Sequence, residues 1–280
     1  MKLIRFGPPG CEQPGLWLGG SIVNLRSLYP DIPDIGARFF EQGWIERLLG
    51  LNVDGEFADV RLAAPLRQPD KIICLGKNYA EHAKEGGFDI PSAPLLFCKT
   101  PNTLNGPFDS ILMPSSSDQI DWEVELAVVI GKKGKRIPRH LALGYVAGYS
   151  VMNDVSARRA QFAHSQWFRG KSFDTFAPLG PVLVTPDEIG DVSNLRLTAK
   201  VNGKLMQEGT TRDMMFGIDE IIADISEDIT LMPGDIISTG TPAGVGIFRD
   251  PPVVLKEGDV VECWIEKIGT IRNQVIKGER

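Results

Sequence analysis

The chain has 280 residues, room for one large domain or for one with a small appendage. Its 42% hydrophobic and 24% charged content is that of a soluble globular protein with a sizeable core. A net charge of −6 excludes a generic nucleic-acid binder, which needs a basic surface, and no apolar run reaches the length of a membrane span.

The first sixty-odd residues read as a small module of short strands (2–6, 16–18 and 22–25) and one helical stretch over 35–49. No signal-peptide core is expected at the start. Residues 61–69 form a proline-containing connector, which divides the chain into an N-terminal module over 1–69 and a main body over 70–280. The body opens on a strand over 71–75, followed by a short helix over 79–84. Strands are then expected over 95–98, 121–130, 145–152, 181–185, 195–201, 235–238 and 260–265, and helices only over 157–164 and 218–225. Asn202-Gly203 is a hairpin turn, and Pro233-Gly234-Asp235 and Glu257-Gly258-Asp259 are tight turns feeding strands. Without regular strand–helix alternation, a Rossmann or TIM-barrel layout is not expected, and an α+β, mostly β body is. Cys11, Cys74, Cys98 and Cys263 form no Cys-X-X-Cys pair, and Cys74 and Cys98 read as buried small hydrophobes. A reduced, cytoplasmic protein without zinc or a thiol nucleophile follows.

The strand over 121–130 carries the chemistry. Trp122, Val124, Leu126 and Val128 share one face; Glu123 and Glu125 share the other with Ala127 and Val129, their α-carbons roughly 6.6 Å apart by strand rise. Two carboxylates among apolar neighbours repel each other and resist ionisation, so they call for a compensating positive charge. Alone, such a pair also suits the solvated face of a half-exposed sheet. The strand over 145–152 runs into Asn153-Asp154. Asp154 is read either as the cap of a helix opening at Ser156 or as a third ligand. One hard divalent cation with oxygen ligands accounts for Glu123, Glu125 and Asp154 together.

Other positions are weaker singly. His82 and Glu85 stand at i,i+3 on a short helix, where the carboxylate would orient the imidazole as a general base; an incidental surface ion pair has the same spacing. The chain has only three histidines, and the helix ends in Gly86-Gly87, a hinge suited to a lid. Asp154, Arg158 and Gln161 recur about a turn apart, either as exposed polar residues of an amphipathic helix or with Arg158 and Gln161 holding a carboxylate or carbonyl; His164 reads as a helix-end cation or packing residue rather than a catalyst. Lys171 lies on a glycine-flanked loop, a solvated side chain or a point charge for substrate oxygens. The run 238–246, Ser-Thr-Gly-Thr-Pro-Ala-Gly-Val-Gly, offers amides and the Thr241 hydroxyl to an anion, but lacks the Gly-Lys-Ser/Thr ending of a nucleotide loop. The basic run Lys132, Lys133, Lys135, Arg136 reads as a solvated hairpin.

In order, Gly76-Lys77-Asn78-Tyr79-Ala80-Glu81-His82, Glu123-Val124-Glu125-Leu126, Asn153-Asp154-Val155-Ser156-Ala157-Arg158, Gly170-Lys171-Ser172-Phe173 and the Gly-rich run over 239–246 resemble the fumarylacetoacetate hydrolase family across nearly all of residues 70–276. The resemblance implies a mixed β-roll, usually a homodimer. It also implies Mg²⁺ or Mn²⁺ on Glu123, Glu125 and Asp154, and a water-activating pair of His82 and Glu85. Lys171 joins that pair as a catalytic group. Substrate contacts are expected from Tyr79, Arg158, Gln161, Lys171 and Thr241. The founding members carry an extra upstream metal-binding Asp that has no clear match here, which favours the acylpyruvase-like branch; the short N-terminal module resembles the branch that cleaves 2,4-diketo-3-deoxy sugar acids. The expected activity is hydrolysis of a carbon–carbon bond in a small anionic 2,4-dioxo acid, giving pyruvate and a second acid. The alternatives are a 2-oxoacid decarboxylase, hydratase or tautomerase of the same family, or a non-catalytic protein holding Ca²⁺ for structure.

Overall fold

The acidic strand is apolar on both faces beyond its acids, and it folds accordingly at the middle of the molecule. In the computed structural model, which describes residues 1–57 and 59–278, Val124–Ile130 is buried at every position. Val124, Leu126, Val128 and Ile130 enter one core with Trp122, while Ala127 and Val129 enter a second core with Phe39, Phe40 and Trp44 of the N-terminal helices. Alternation therefore holds as expected, and Glu125 falls on the Ala127 side.

The strand sits in a twelve-stranded mixed sheet, paired antiparallel with Val146–Asn153 on one side and Ile236–Ser238 on the other. Beyond Ile236–Ser238 come Ile72–Gly76, parallel, and the edge strand Leu95–Lys99. Beyond Val146–Asn153 comes Ala177–Val184, and then the N-terminal strands Lys2–Phe6, Gln13–Leu18 and Ser21–Asn24. The expected module is thus joined to the body by ladder hydrogen bonds, Lys2 opposite Val184 and Leu3 opposite Leu183. A five-stranded sheet of Lys204–Thr210, Arg196–Val201, Val260–Ile265, Gly269–Lys277 and Ile111–Met113 closes over the first core. This is the mixed, mostly β architecture expected.

Four local expectations are corrected. The single helix over 35–49 is two, Ala37–Glu41 and Trp44–Leu48, separated at Gly43, which takes φ +68°. Ser156 does not open a helix: Ser156–Ala157 pairs with Ile120–Asp121, and the helix is Arg158–Phe162 with Ala157 at its N-cap, so Asp154 caps nothing. Lys171 is not on a solvated loop but ends the short helix Phe168–Lys171, fully enclosed. Cys98 is exposed because Leu95–Lys99 is an edge strand with one uncovered side.

Candidate active site and metal centre

The site begins where two neighbouring strands end together. Val124 lies opposite Asn153 in the antiparallel ladder, so the next residue of each chain direction, Glu123 and Asp154, meet across it. The Asp154 amide donates to the Glu123 carbonyl at 2.9 Å, and the Glu123 amide donates to the Asn153 side-chain oxygen at 3.0 Å. Glu125 projects from the same face one pleat further on. One carboxylate oxygen from each of Glu123, Glu125 and Asp154 lies within 4.8 Å of the others, and all three residues are buried.

Cations already crowd this cluster. Lys171 Nζ donates to Glu123 Oε2 and Asp154 Oδ2, both at 2.6 Å. Lys99 Nζ donates to Asp154 Oδ1 at 2.5 Å and to the Val155 carbonyl at 3.1 Å. Arg158 spans three partners: Asp121 at 2.9 Å, Glu123 Oε1 at 2.7 Å and the Gln161 side-chain oxygen at 2.9 Å. Burial pushes the Glu123 carboxyl upward, but Lys171 and Arg158 outweigh it and hold Glu123 well below the ordinary range. Glu125 fares oppositely. Among the described residues it accepts only from the Ser238 hydroxyl at 2.5 Å and the Gly240 amide at 2.9 Å, and burial, then the charges of Asp154 and Glu123, push its carboxyl up to about 8. The cluster is therefore short of positive charge at Glu125. Three convergent carboxylates, an all-oxygen donor set and that residual deficit fit a hard divalent cation such as Mg²⁺ or Mn²⁺.

A second group faces the cluster from the helix Ala80–Glu85. His82 is buried, and its Nδ1 stands 3.4 Å from Glu85 Oε2. Glu85 is itself anchored, both its oxygens accepting from the Gly244 amide at 3.0 Å. The Gly-rich run thus serves the site through its backbone. Gly240 takes φ +95°, and a β-carbon there would lie 2.8 Å from Cβ of Asn78, so this turn requires glycine. Thr241 Oγ1 donates to the Val124 carbonyl and accepts from Gln207, both at 2.8 Å, so its hydroxyl braces the acidic strand.

His82, Glu123, Glu125, Arg158, Gln161, Lys171 and Thr241 line one cavity of about 30 Å³, walled by Phe88, Phe97, Phe162, Trp167 and Phe248. Asp154 and Glu85 stand directly behind this lining. Tyr79 does not line it: the ring is 3% exposed in the interior, and its hydroxyl, whose pKa is raised by burial and then by Glu125, has no hydrogen-bond partner among the described residues. That residue is corrected from substrate contact to core. Sequence reasoning missed Lys99, Ser238 and the role of Asp121. Asp121 accepts from Arg158 and from the amides of Gly246 at 2.7 Å and Ile247 at 3.0 Å, tying the arginine to the loop that anchors Glu85. Its place at the head of the Glu-X-Glu strand was the one available signal.

Comparison with known proteins follows the same outline. A model of the fumarylacetoacetate hydrolase C-terminal domain matches residues 71–276. The oxaloacetate tautomerase FAHD2B, mitochondrial, of Bos taurus is 45% identical over 288 residues, covering 99% of this chain and 92% of its own length. Among solved structures, the fumarylacetoacetate hydrolase of Exiguobacterium antarcticum superposes with a TM-score of 0.84 at 38% identity, covering 99% of this chain and 100% of that one. The maleylpyruvate hydrolase of Sphingobium sp. SYK-6, in complex with manganese(II) and pyruvate, gives 0.80 at 32% identity with both chains fully covered, 100% each.

Proposed function

We propose that this chain, which belongs to the fumarylacetoacetate hydrolase family, is a divalent-metal-dependent keto–enol tautomerase of short 2-oxo dicarboxylic acids of the oxaloacetate class. The observation that carries this reading is the meeting, at the wall of one small cavity, of a carboxylate-buttressed imidazole with Glu123 and Glu125, two of three convergent carboxylates whose third, Asp154, stands just behind. Similarity along 99% of the chain to a relative named for oxaloacetate tautomerisation supports the reaction type.

Glu123, Glu125 and Asp154 would hold the ion, which when bound supplies Lewis acidity toward the carboxylate and 2-oxo oxygens of the acid. The chain's own groups handle the proton. Glu85, fixed by the Gly244 amide, orients His82, whose imidazole removes a proton from the carbon next to the carbonyl. Negative charge then develops on the 2-oxo oxygen, where the buried ammonium of Lys171 stabilises it. The Gln161 oxygen is occupied by Arg158, which leaves its NH₂ group as a donor to a substrate oxygen. Aromatic walls keep bulk water from quenching these charges. Return of a proton to carbon or to oxygen decides the direction.

Hydrolysis of a carbon–carbon bond in a 2,4-dioxo acid is the second reading, favoured by the His82–Glu85 pair and by the likeness to a maleylpyruvate hydrolase. The same imidazole would then take its proton from a water. Two assays decide between the readings. Enol-to-keto conversion of oxaloacetate, followed by ultraviolet absorbance with Mg²⁺ or Mn²⁺ and abolished by chelation, is expected; pyruvate release from acylpyruvates without acceleration of that conversion would establish the hydrolase instead.

A further inference from the structure

Lys77 lines the same cavity, and neither the triad nor the His82 pair uses it. It is half-buried and holds φ +59°, a left-handed conformation that side chains with a β-carbon enter at a cost. Both neighbours fix it there. A β-carbon at Gly76 would lie 2.5 Å from the Trp167 ring, and the Asn78 side chain donates to the Thr239 carbonyl at 2.8 Å and accepts from the Phe216 amide at 2.9 Å. The Lys77 ammonium rests 4.2 Å from the centre of the Phe88 ring. Among the described residues no carboxylate pairs with it. Lys171 and Arg158, the other cations on the cavity wall, have carboxylate partners already.

Charge accounting gives this cation a purpose. Around the triad four buried carboxylates (Asp121, Glu123, Glu125, Asp154) face three buried cations (Lys99, Arg158, Lys171). A divalent ion leaves that group with one surplus positive charge, matched by the single carboxylate of a monoanionic 2-oxo acid. Glu85 makes the balance more negative still. A second substrate carboxylate among aromatic rings would be unpaired, and an unpaired buried charge is strongly disfavoured. An ammonium held only by a ring face turns readily to such an anion.

We infer that Lys77 is a specificity determinant that receives the second carboxylate of a 2-oxo dicarboxylate. The inference rests on the dicarboxylate reading above and assigns that preference to one side chain. Malate and lactate test it by calorimetry on the Mg²⁺-loaded protein, because they share the 2-oxygenated carboxylate, differ by the second one and undergo no tautomerisation. Wild type is expected to bind malate more tightly than lactate. Lys77→Gln should weaken malate about 10- to 100-fold, the range of a charge-assisted hydrogen bond, and leave lactate unchanged, while Lys77→Arg keeps the preference. Lys77→Asn, whose residue type enters the left-handed region readily, provides a second neutral variant should the glutamine protein fail to fold. No malate preference in wild type, or equal loss for both ligands, would overturn the assignment. A Lys77-dependent malate preference without oxaloacetate turnover would support the assignment and remove the tautomerase reading alone.

Discussion

Glu125→Gln separates what the site needs for stability from what it needs for metal. In the metal-free protein the Glu125 carboxyl is pushed up to about 8 from an ordinary value of 4.5, by burial first and then by Asp154 and Glu123. Between those two values the folded protein holds a proton that the unfolded chain has released, so stability falls as pH rises through this window and is level outside it. At 1.36 kcal/mol per pH unit, the loss reaches about 3 kcal/mol at pH 7 and about 5 kcal/mol by pH 9. A glutamine oxygen accepts from Ser238 and Gly240 as the carboxylate does, and its neutral amide removes the repulsion. Chemical denaturation in EDTA from pH 5 to pH 9 should therefore show the variant matching wild type at the acid end and exceeding it increasingly toward the alkaline end. Adding Mg²⁺ or Mn²⁺ should reverse the order, because only wild type retains all three ligands. A glutamine variant that is no more stable than wild type at pH 9 in EDTA would refute the account of Glu125 as the undercompensated acid.

The same shift predicts that metal uptake by wild type releases a proton below about pH 8, with apparent affinity rising as pH rises and levelling above that value, measurable by calorimetry in buffers of different ionisation enthalpy. His82→Ala should slow turnover about 10²- to 10⁴-fold and leave metal-induced stabilisation intact; full activity would remove the imidazole from the mechanism. Lys171→Met strands Glu123 and Asp154 without the ammonium they share at 2.6 Å and should cost the metal-free protein about 3–5 kcal/mol, much of it restored by Mg²⁺ in a thermal melt. Gly170→Ala places a β-carbon 2.5 Å from the Gln161 backbone nitrogen, forcing the Lys171 and Arg158 helices apart; stability should drop by about 1–3 kcal/mol and activity with it, and unchanged kinetics would show that their spacing is unimportant.

What could be read from the sequence follows the range of each interaction. Face alternation along 122–130 is a nearest-neighbour property, and it located Glu123 and Glu125 on one face beside Ala127 and Val129. The helix over 35–49 failed for an equally local reason, since Gly43 in a left-handed conformation breaks a pattern that its hydrophobic spacing alone continues. Asp154 could be a cap or a ligand until the register Val124 opposite Asn153 carried it to Glu123. Lys99, Asp121 and Ser238 are harder still: their partners lie 55, 37 and 113 residues away, and nothing adjacent to them distinguishes a buried donor from a solvated one. Tyr79 illustrates the converse, because an aromatic residue near a candidate base such as His82 reads alike whether its ring enters the cavity or the core. Carboxylates on a strand declare a charge deficit locally, whereas the cations that answer it arrive from wherever the sheet and the loops deliver them. The unanswered share of that deficit resides at Glu125, whose partners among the described residues are a hydroxyl and an amide with no full charge to offer, and that is why the candidate metal site and the raised carboxyl coincide.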